Sequence, residues 1–270
     1  MESLSRSDPR STPGSDLAFP RVRLFGIDID PIRMDEALRR IEGIVRDRRP
    51  TQYVDLNASK VVMLRDVPRF REIVQRCGIV AADGQSVVWA SRILGIPLPE
   101  RIAGIDMMMA LFGLAEARGY SVYLLGATPG VLARAAEAIR RLHPSLRIAG
   151  WHHGYFAEDE SGSLAASIRA SGADLLVVGM PSPKKEYWLA DHQAATSVPF
   201  AMGVGGSFDV VAGAIHRAPR WMRRSGLEWL FRLVQEPRRL FWRYLAGNTR
   251  FAWIVLGELL SPRQPGRSRE

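Results

Sequence analysis

Between residues 22 and 213 the chain alternates short apolar runs with longer stretches of helical periodicity. The apolar runs predict strands over Val22–Ile29, Gln52–Leu56, Gly78–Ala81, Ser121–Leu125, Arg147–Trp151, Asp174–Gly179 and Phe200–Gly203. Helical spacing predicts, among others, helices over Met34–Arg46, Val131–Leu142, Leu164–Ala170 and Lys184–Gln193. Strands alternating with helices build a mostly parallel sheet covered by helices, so the expected class is α/β. The runs LLVVG (175–179) and SVYLLG (121–126) are apolar on both faces, as central parallel strands are.

Beyond this body the pattern changes. From Glu228 to Ala246, large apolar residues (Trp229, Leu230, Leu233, Val234, then Leu240, Phe241, Tyr244, Leu245) recur at helical spacing. Arg232, Arg238, Arg239 and Arg243 fall between them, and Pro237 predicts a break into two helices. The apolar stretch Phe251–Leu260 contains Glu258 and is too short to span a bilayer.

Charge sharpens the division. The chain carries +9, and residues 217–270 hold twelve arginines against four glutamates, so the body is close to neutral. Four of the seven tryptophans (Trp221, Trp229, Trp242, Trp253) fall in the same segment, which calls for an anionic partner. Arginines interleaved with large aliphatics make an amphipathic, interfacial helix rather than a base-stacking platform. An anionic membrane surface is therefore the expected partner, and no nucleic acid. The alternative class is a basic Rossmann-like nucleic-acid-binding protein or an RNA methyltransferase. The first twenty residues lack an apolar core and read as a disordered tail, not a signal peptide. The single cysteine, Cys77, sits in an apolar run and reads as a buried hydrophobe. Both point to the cytoplasm. The expected organisation is a tail (1–20), a Rossmann-like core (21–216), a helical membrane-associating appendage (217–260) and a second tail (261–270).

Candidate chemistry collects after the predicted strands, where open α/β sheets bind ligands. Asp55-Leu56-Asn57, Asp83-Gly84, Gly126–Gly130, Met180–Glu186 and Gly203–Asp209 each follow a strand, so a parallel sheet lines all five along one edge. A single glycine cluster is as readily a tight turn as an anion cradle. Two on one edge favour a nucleotide diphosphate, with Gly126, Thr128, Gly130, Gly205, Gly206 and Asp209 as the binding residues. Asp83 serves either as a turn or cap residue, or as a base that takes a proton from an attacking hydroxyl. Asn57 is suited to sugar hydroxyls and Arg101 to a phosphate. No zinc spacing, nucleophile elbow or Cys–His pair occurs. Asp28-Ile29-Asp30 reads as a strand end before Pro31, so neither a metal nor a cofactor is expected.

Several segments together resemble the WecG/TagA/CpsF glycosyltransferase family: Ala82-Asp83-Gly84 through Ala90, Pro99–Asp106, Gly203–Asp209, Arg217–Met222, Gly226–Leu233 and Gln235–Arg239. The resemblance runs over about residues 22 to 250. It implies inverting, metal-independent transfer of a sugar from a UDP-sugar to a polyprenyl-diphosphate-linked saccharide, in exopolysaccharide, teichoic acid or surface-antigen synthesis. By the same resemblance, the catalytic aspartate falls on Asp83 and the pocket asparagine and arginine on Asn57 and Arg101. A basic appendage would dock on the inner face of the plasma membrane and complete the site over the acceptor diphosphate. The expected substrate contacts are then Asn57, Arg101, Lys185, Glu186, Arg217, Arg232, Arg238 and Arg239. The oligomeric state, homo-oligomer included, stays open. Two positions depart from the pattern: Asp55 stands where many members carry Thr, and Lys185 where many carry Gln. A lysine only donates hydrogen bonds whereas a glutamine also accepts them, so the transferred sugar is left open between N-acetylmannosamine, glucose and others.

Overall fold

The computed structural model describes residues 20–261, apart from the side chains of Arg224, Arg239, Leu240 and Arg243. The two expected tails therefore lie, except for Pro20 and Ser261, outside the described residues. The first predicted strand is corrected: it is a hairpin of β1 (Val22–Leu24) and β2 (Ile27–Ile29), paired antiparallel. Phe25 and Gly26 adopt positive φ and turn the chain there, which a continuous strand would not allow.

The remaining elements follow in order. They are α1 (Met34–Arg46), β3 (Thr51–Leu56), α2 (Ala58–Asp66), α3 (Pro68–Arg76), β4 (Ile79–Ala82), α4 (Gln85–Ile93) and α5 (Gly104–Arg118). Next come β5 (Ser121–Gly126), α6 (Pro129–Leu142), β6 (Arg147–His152), α7 (Ser161–Ala170), β7 (Leu175–Gly179), α8 (Lys184–Thr196) and β8 (Phe200–Gly203). The chain closes with α9 (Ser207–Val211), α10 (Arg220–Arg224), α11 (Glu228–Gln235) and α12 (Pro237–Leu260). Strands β3 to β8 form one wholly parallel sheet in the order β4-β3-β8-β7-β5-β6, so the fold is α/β and Rossmann-like. β4, β5, β7 and β8 are buried along their whole length because helices cover both faces.

Alternation along the strands sorts the core. Tyr53, Ile79, Val177 and Met202 pack with α1, α5, α6 and Phe208 of α9 on one face. Val54, Leu56, Val80 and Ala82 pack with the hairpin, α2, α3 and α4 on the other, while Leu176, Val178 and Ala201 meet α7 and α8 there. Thus β3 leads to α2 on one face and its neighbour β8 leads to α9 on the opposite face. Chain connections that part in this way open a crevice at the carboxyl ends of the two strands.

The late helices divide as the proline predicts, with Pro237 at the first turn of α12, where its missing N–H costs nothing. The second half of α12 is joined to the body. Phe251 is buried against Phe25, with ring centroids 5.8 Å apart, and the Glu258 carboxylate accepts from Phe25 N (3.1 Å) and pairs with Arg65 (2.9 Å). No helix among the described residues is long and apolar enough to cross a membrane.

Candidate active site

A cleft of about 530 Å³ occupies the crevice between β3, β4 and β8, roofed by residues of α11 and α12. Its position follows from the strand ends. After β4 the chain folds back over β3: the N–H groups of Asp83 and Gly84 both donate to Leu56 O (2.8 and 3.1 Å). A side chain at Gly84 would place its Cβ 3.1 Å from Asn57 Cα, so the glycine lets the two strand ends approach without a shift of Asn57. Asn57 caps α2, its Oδ1 accepting from Lys60 N (3.1 Å) while the residue still lines the cleft.

Asp83 is half-buried in the cleft lining. Loss of hydration raises its carboxyl to about 7, helped by the negative charge of Asp55 and opposed by Arg101 and Lys60. Below it lies a buried row of charges of alternating sign. Lys60 Nζ stands 2.6 Å from Asp55 Oδ1 and 3.1 Å from Glu186 Oε1, and Lys185 Nζ lies 3.0 Å from the same Glu186 oxygen. The Ser182 hydroxyl accepts from Lys185 and donates to Glu186 Oε1 (2.9 Å). Burial disfavours every charge in the row. For Lys60 the two carboxylates outweigh it and lift the ammonium above its usual range. Burial together with the Lys60 charge pulls Lys185 down, whereas the two lysines hold Glu186 at about 2 against burial. Gly203 lets the lysine through, because a Cβ there would meet Lys185 Cδ and Cε at 2.4 Å.

The rim joins body and late helices through a second set of ion pairs. Arg217 grips Asp106 with both Nη atoms (2.7 Å each) and faces Glu228 across 3.7 Å, while Arg101 Nη2 lies 3.3 Å from Glu228 Oε2. Arg223 approaches Asp106 to 3.9 Å. Two acids from different segments are thus held among three arginines beside the cleft.

Of the residues expected from sequence, Asp83, Asn57, Arg101, Lys185, Arg232, Gly205 and Gly206 line the cleft together. Glu186 lies behind Lys185 in the buried row, and Arg217 belongs to the rim network. Arg238 is exposed and does not line the cleft. The Arg239 side chain lies outside the described residues. Asp209 sits in α9, where its carbonyl accepts from Ala214 and Ile215. Gly126, Thr128 and Gly130 stand at the carboxyl end of β5, two strands from β8 (about 10 Å) and outside the cleft lining. There Thr128 caps α6 and the backbone of Gly126 lies against that of Gly179.

Sequence reading named none of Lys60, Ser182, Asp106, Glu228, Trp229 and Asn248 as a site residue. One of them had a partial signal: Lys60 directly precedes the apolar run Val61–Leu64 of α2 and stands five residues after Asp55, the acid with which it pairs. The others come from distant segments that only folding brings together. Asp28 and Asp30 do not form a pair: Asp28 meets Arg23 on the surface, while buried Asp30 binds Arg21, Arg40 and Val80 N. Among the described residues no group of three or more His, Cys, Asp or Glu is placed to hold a metal. Residues 22–265 match the model of the Glycosyl transferase WecG/TagA/CpsF family.

Proposed function

The chain belongs to the WecG/TagA/CpsF family of glycosyl transferases, enzymes of cell-surface polysaccharide synthesis, and from that premise we propose that it moves a sugar from a UDP-sugar to a polyprenyl-diphosphate-linked saccharide, with inversion, without a metal, at the inner face of a bacterial plasma membrane. The observation that carries the reading is Asp83 itself. It is a carboxyl raised in proton affinity at the end of β4, in a cleft that also presents Asn57, Arg101, Arg232 and the Gly205-Gly206 turn. A sugar hydroxyl is a weak nucleophile and needs a proton acceptor as it attacks. Asp83 takes that proton while the hydroxyl oxygen bonds to the anomeric carbon. On the opposite side the bond to the diphosphate oxygen breaks, and UDP leaves with the electron pair. Arg101 and the backbone around Gly205-Gly206 are placed to receive phosphate oxygens. Asn57 retains its amide N–H donors for sugar hydroxyls, since only its oxygen is used in capping α2.

The late helices supply the membrane side of the proposal. Trp221, Trp242, Val234 and Leu260 are at least 64% exposed, and Arg220, Arg232 and Arg238 are exposed among them. Such a surface suits insertion into the headgroup region of anionic lipid, each basic residue near it contributing about 1 kcal/mol. The test is a panel of UDP-sugars incubated with a lipid-diphosphate saccharide analogue. Release of UDP with matching extension of the lipid-linked saccharide is expected for at least one donor. No transfer from any UDP-sugar contradicts the proposal.

A further inference from the structure

The strand ends that form the cleft bring two carboxyls together. The β3–β4 register sets Asp55 opposite Ala81 and Leu56 opposite Ala82, and the turn over Leu56 O then returns Asp83 towards β3. Both residues line the cleft from adjacent strand ends, and the Asp55 carboxylate is the nearest acid acting on Asp83. Asp55 Oδ1 is already taken by the Lys60 ammonium at 2.6 Å, so its other oxygen is left to act as the acceptor of the pair.

We infer that Asp55 is a positioning residue for the reaction: standing beside Asp83 on the neighbouring strand end, it orients the Asp83 carboxyl, so that the resting pair binds one proton between the two side chains. The inference rests on Asp83 being the base of the proposed transfer. In the cycle the resting pair first loses its proton to water. Asp83 then takes the acceptor hydroxyl proton as the new glycosidic bond forms and the bond to UDP breaks. The pair ends singly protonated, as it began, and no other reactant is needed. Asp55 also makes Asp83 a stronger base than an ordinary carboxylate, because ionising Asp83 places two negative charges side by side.

The charged and titratable groups around the pair are few. Tyr53 belongs to β3, Lys60 to α2, Arg101 to the connection before α5, Lys185 and Glu186 to α8, and Arg217 to the connection before α10. Lys60, Arg101 and Arg217 stay cationic throughout, so they oppose the effect of Asp55 at every pH. Burial raises the Asp83 carboxyl most, and the Asp55 charge adds to it against these three cations.

The test is carbon-13 NMR of the full chain with its aspartate carboxyl carbons labelled, followed from pH 5 to 9. The Asp83 signal is identified by its loss in Asp83→Asn. In the intact protein it should titrate near neutrality, and in Asp55→Asn its midpoint should fall by about one unit or more. Asp55→Asn keeps the shape and still accepts from Lys60; Asp55→Ser removes the same charge with less bulk should the amide fail to fold. A midpoint unmoved in both variants overturns the inference. The acid limb of kcat/KM should move the same way as the NMR midpoint, whereas a merely structural role for Asp55 would lower the rate and leave the limb in place. The NMR needs no turnover. Absence of transfer by the intact protein would therefore sink the proposed function while the pairing is still judged on its own.

Discussion

Replacing Lys60 by methionine tests whether the buried row of charges is held together as the distances imply. The substitution keeps the length of the stem and removes the ammonium, leaving Asp55 and Glu186 buried without their shared cation. Removing one partner of a buried ion pair costs about 3–5 kcal/mol. The depression of Glu186 sets the scale for Lys60, Lys185 and the Ser182 hydroxyl acting together. Glu186 is held at about 2 against its ordinary 4.5, and at 1.36 kcal/mol per unit this amounts to about 3 kcal/mol of stability. That is a large part of the roughly 5–15 kcal/mol that keeps a domain folded, so Lys60→Met should fold but melt roughly 10 °C lower. The sign with pH is fixed. The folded-state value is depressed, so the contribution is full above the unfolded value near 4.5 and is lost as pH falls through about 2. For the intact protein about 2 kcal/mol of it should be gone at pH 3. Urea unfolding followed by circular dichroism at pH 7 and pH 3 measures both quantities. The variant should lose less than the intact protein between the two pH values, since Glu186 then retains only Lys185 and the Ser182 hydroxyl. If Lys60→Met unfolds within about 1 kcal/mol of the intact protein at pH 7, the row is not held as described and the reasoning fails.

Two further outcomes follow from the cleft and the late helices. A Cβ at Gly206 meets only the Asp209 carboxylate, at 3.6 Å, so Gly206→Trp should fold while its indole occupies the cleft, and UDP affinity by calorimetry should drop at least about tenfold; unchanged affinity moves the nucleotide elsewhere. Trp221→Ser combined with Trp242→Ser should weaken flotation with anionic liposomes, and 1 M salt should weaken it again as the Debye length contracts to about 3 Å. Flotation equal to that of the intact protein, or a firm RNA gel shift instead, would count against the membrane reading.

Strand and helix positions in the body were largely legible because two periods govern them. Fully apolar runs such as 175–179 become central strands, and the 34–46 pattern becomes α1 with the same limits. The first hairpin was not legible, since its turn depends on positive φ at Phe25, a residue that carries no turn signal. In the site, Asp83, Asn57 and the Gly203–Ser207 turn were visible because a parallel sheet puts strand ends on one edge. The sheet order was not visible, and it is the order that sets β3 beside β8 and keeps Gly126–Gly130 two strands away. Lys185 showed itself as a departure from a family pattern, yet its burial against Gly203 and Glu186 depends on packing between α8 and β8. The Arg217–Asp106 and Arg101–Glu228 pairs join residues more than a hundred positions apart, and no local pattern marks them.

The central claim is that Asp83 accepts the proton of the attacking hydroxyl. Asp83→Asn preserves size and hydrogen bonding and cannot take up that proton. With the UDP-sugar that the panel identifies and a lipid-diphosphate saccharide analogue, single-turnover transfer by Asp83→Asn should be slower by about 10² to 10⁴-fold. UDP affinity and melting temperature should stay nearly unchanged. Transfer at the rate of the intact protein, or a variant that fails to fold because Asp83 serves only to cap the turn, would contradict the claim.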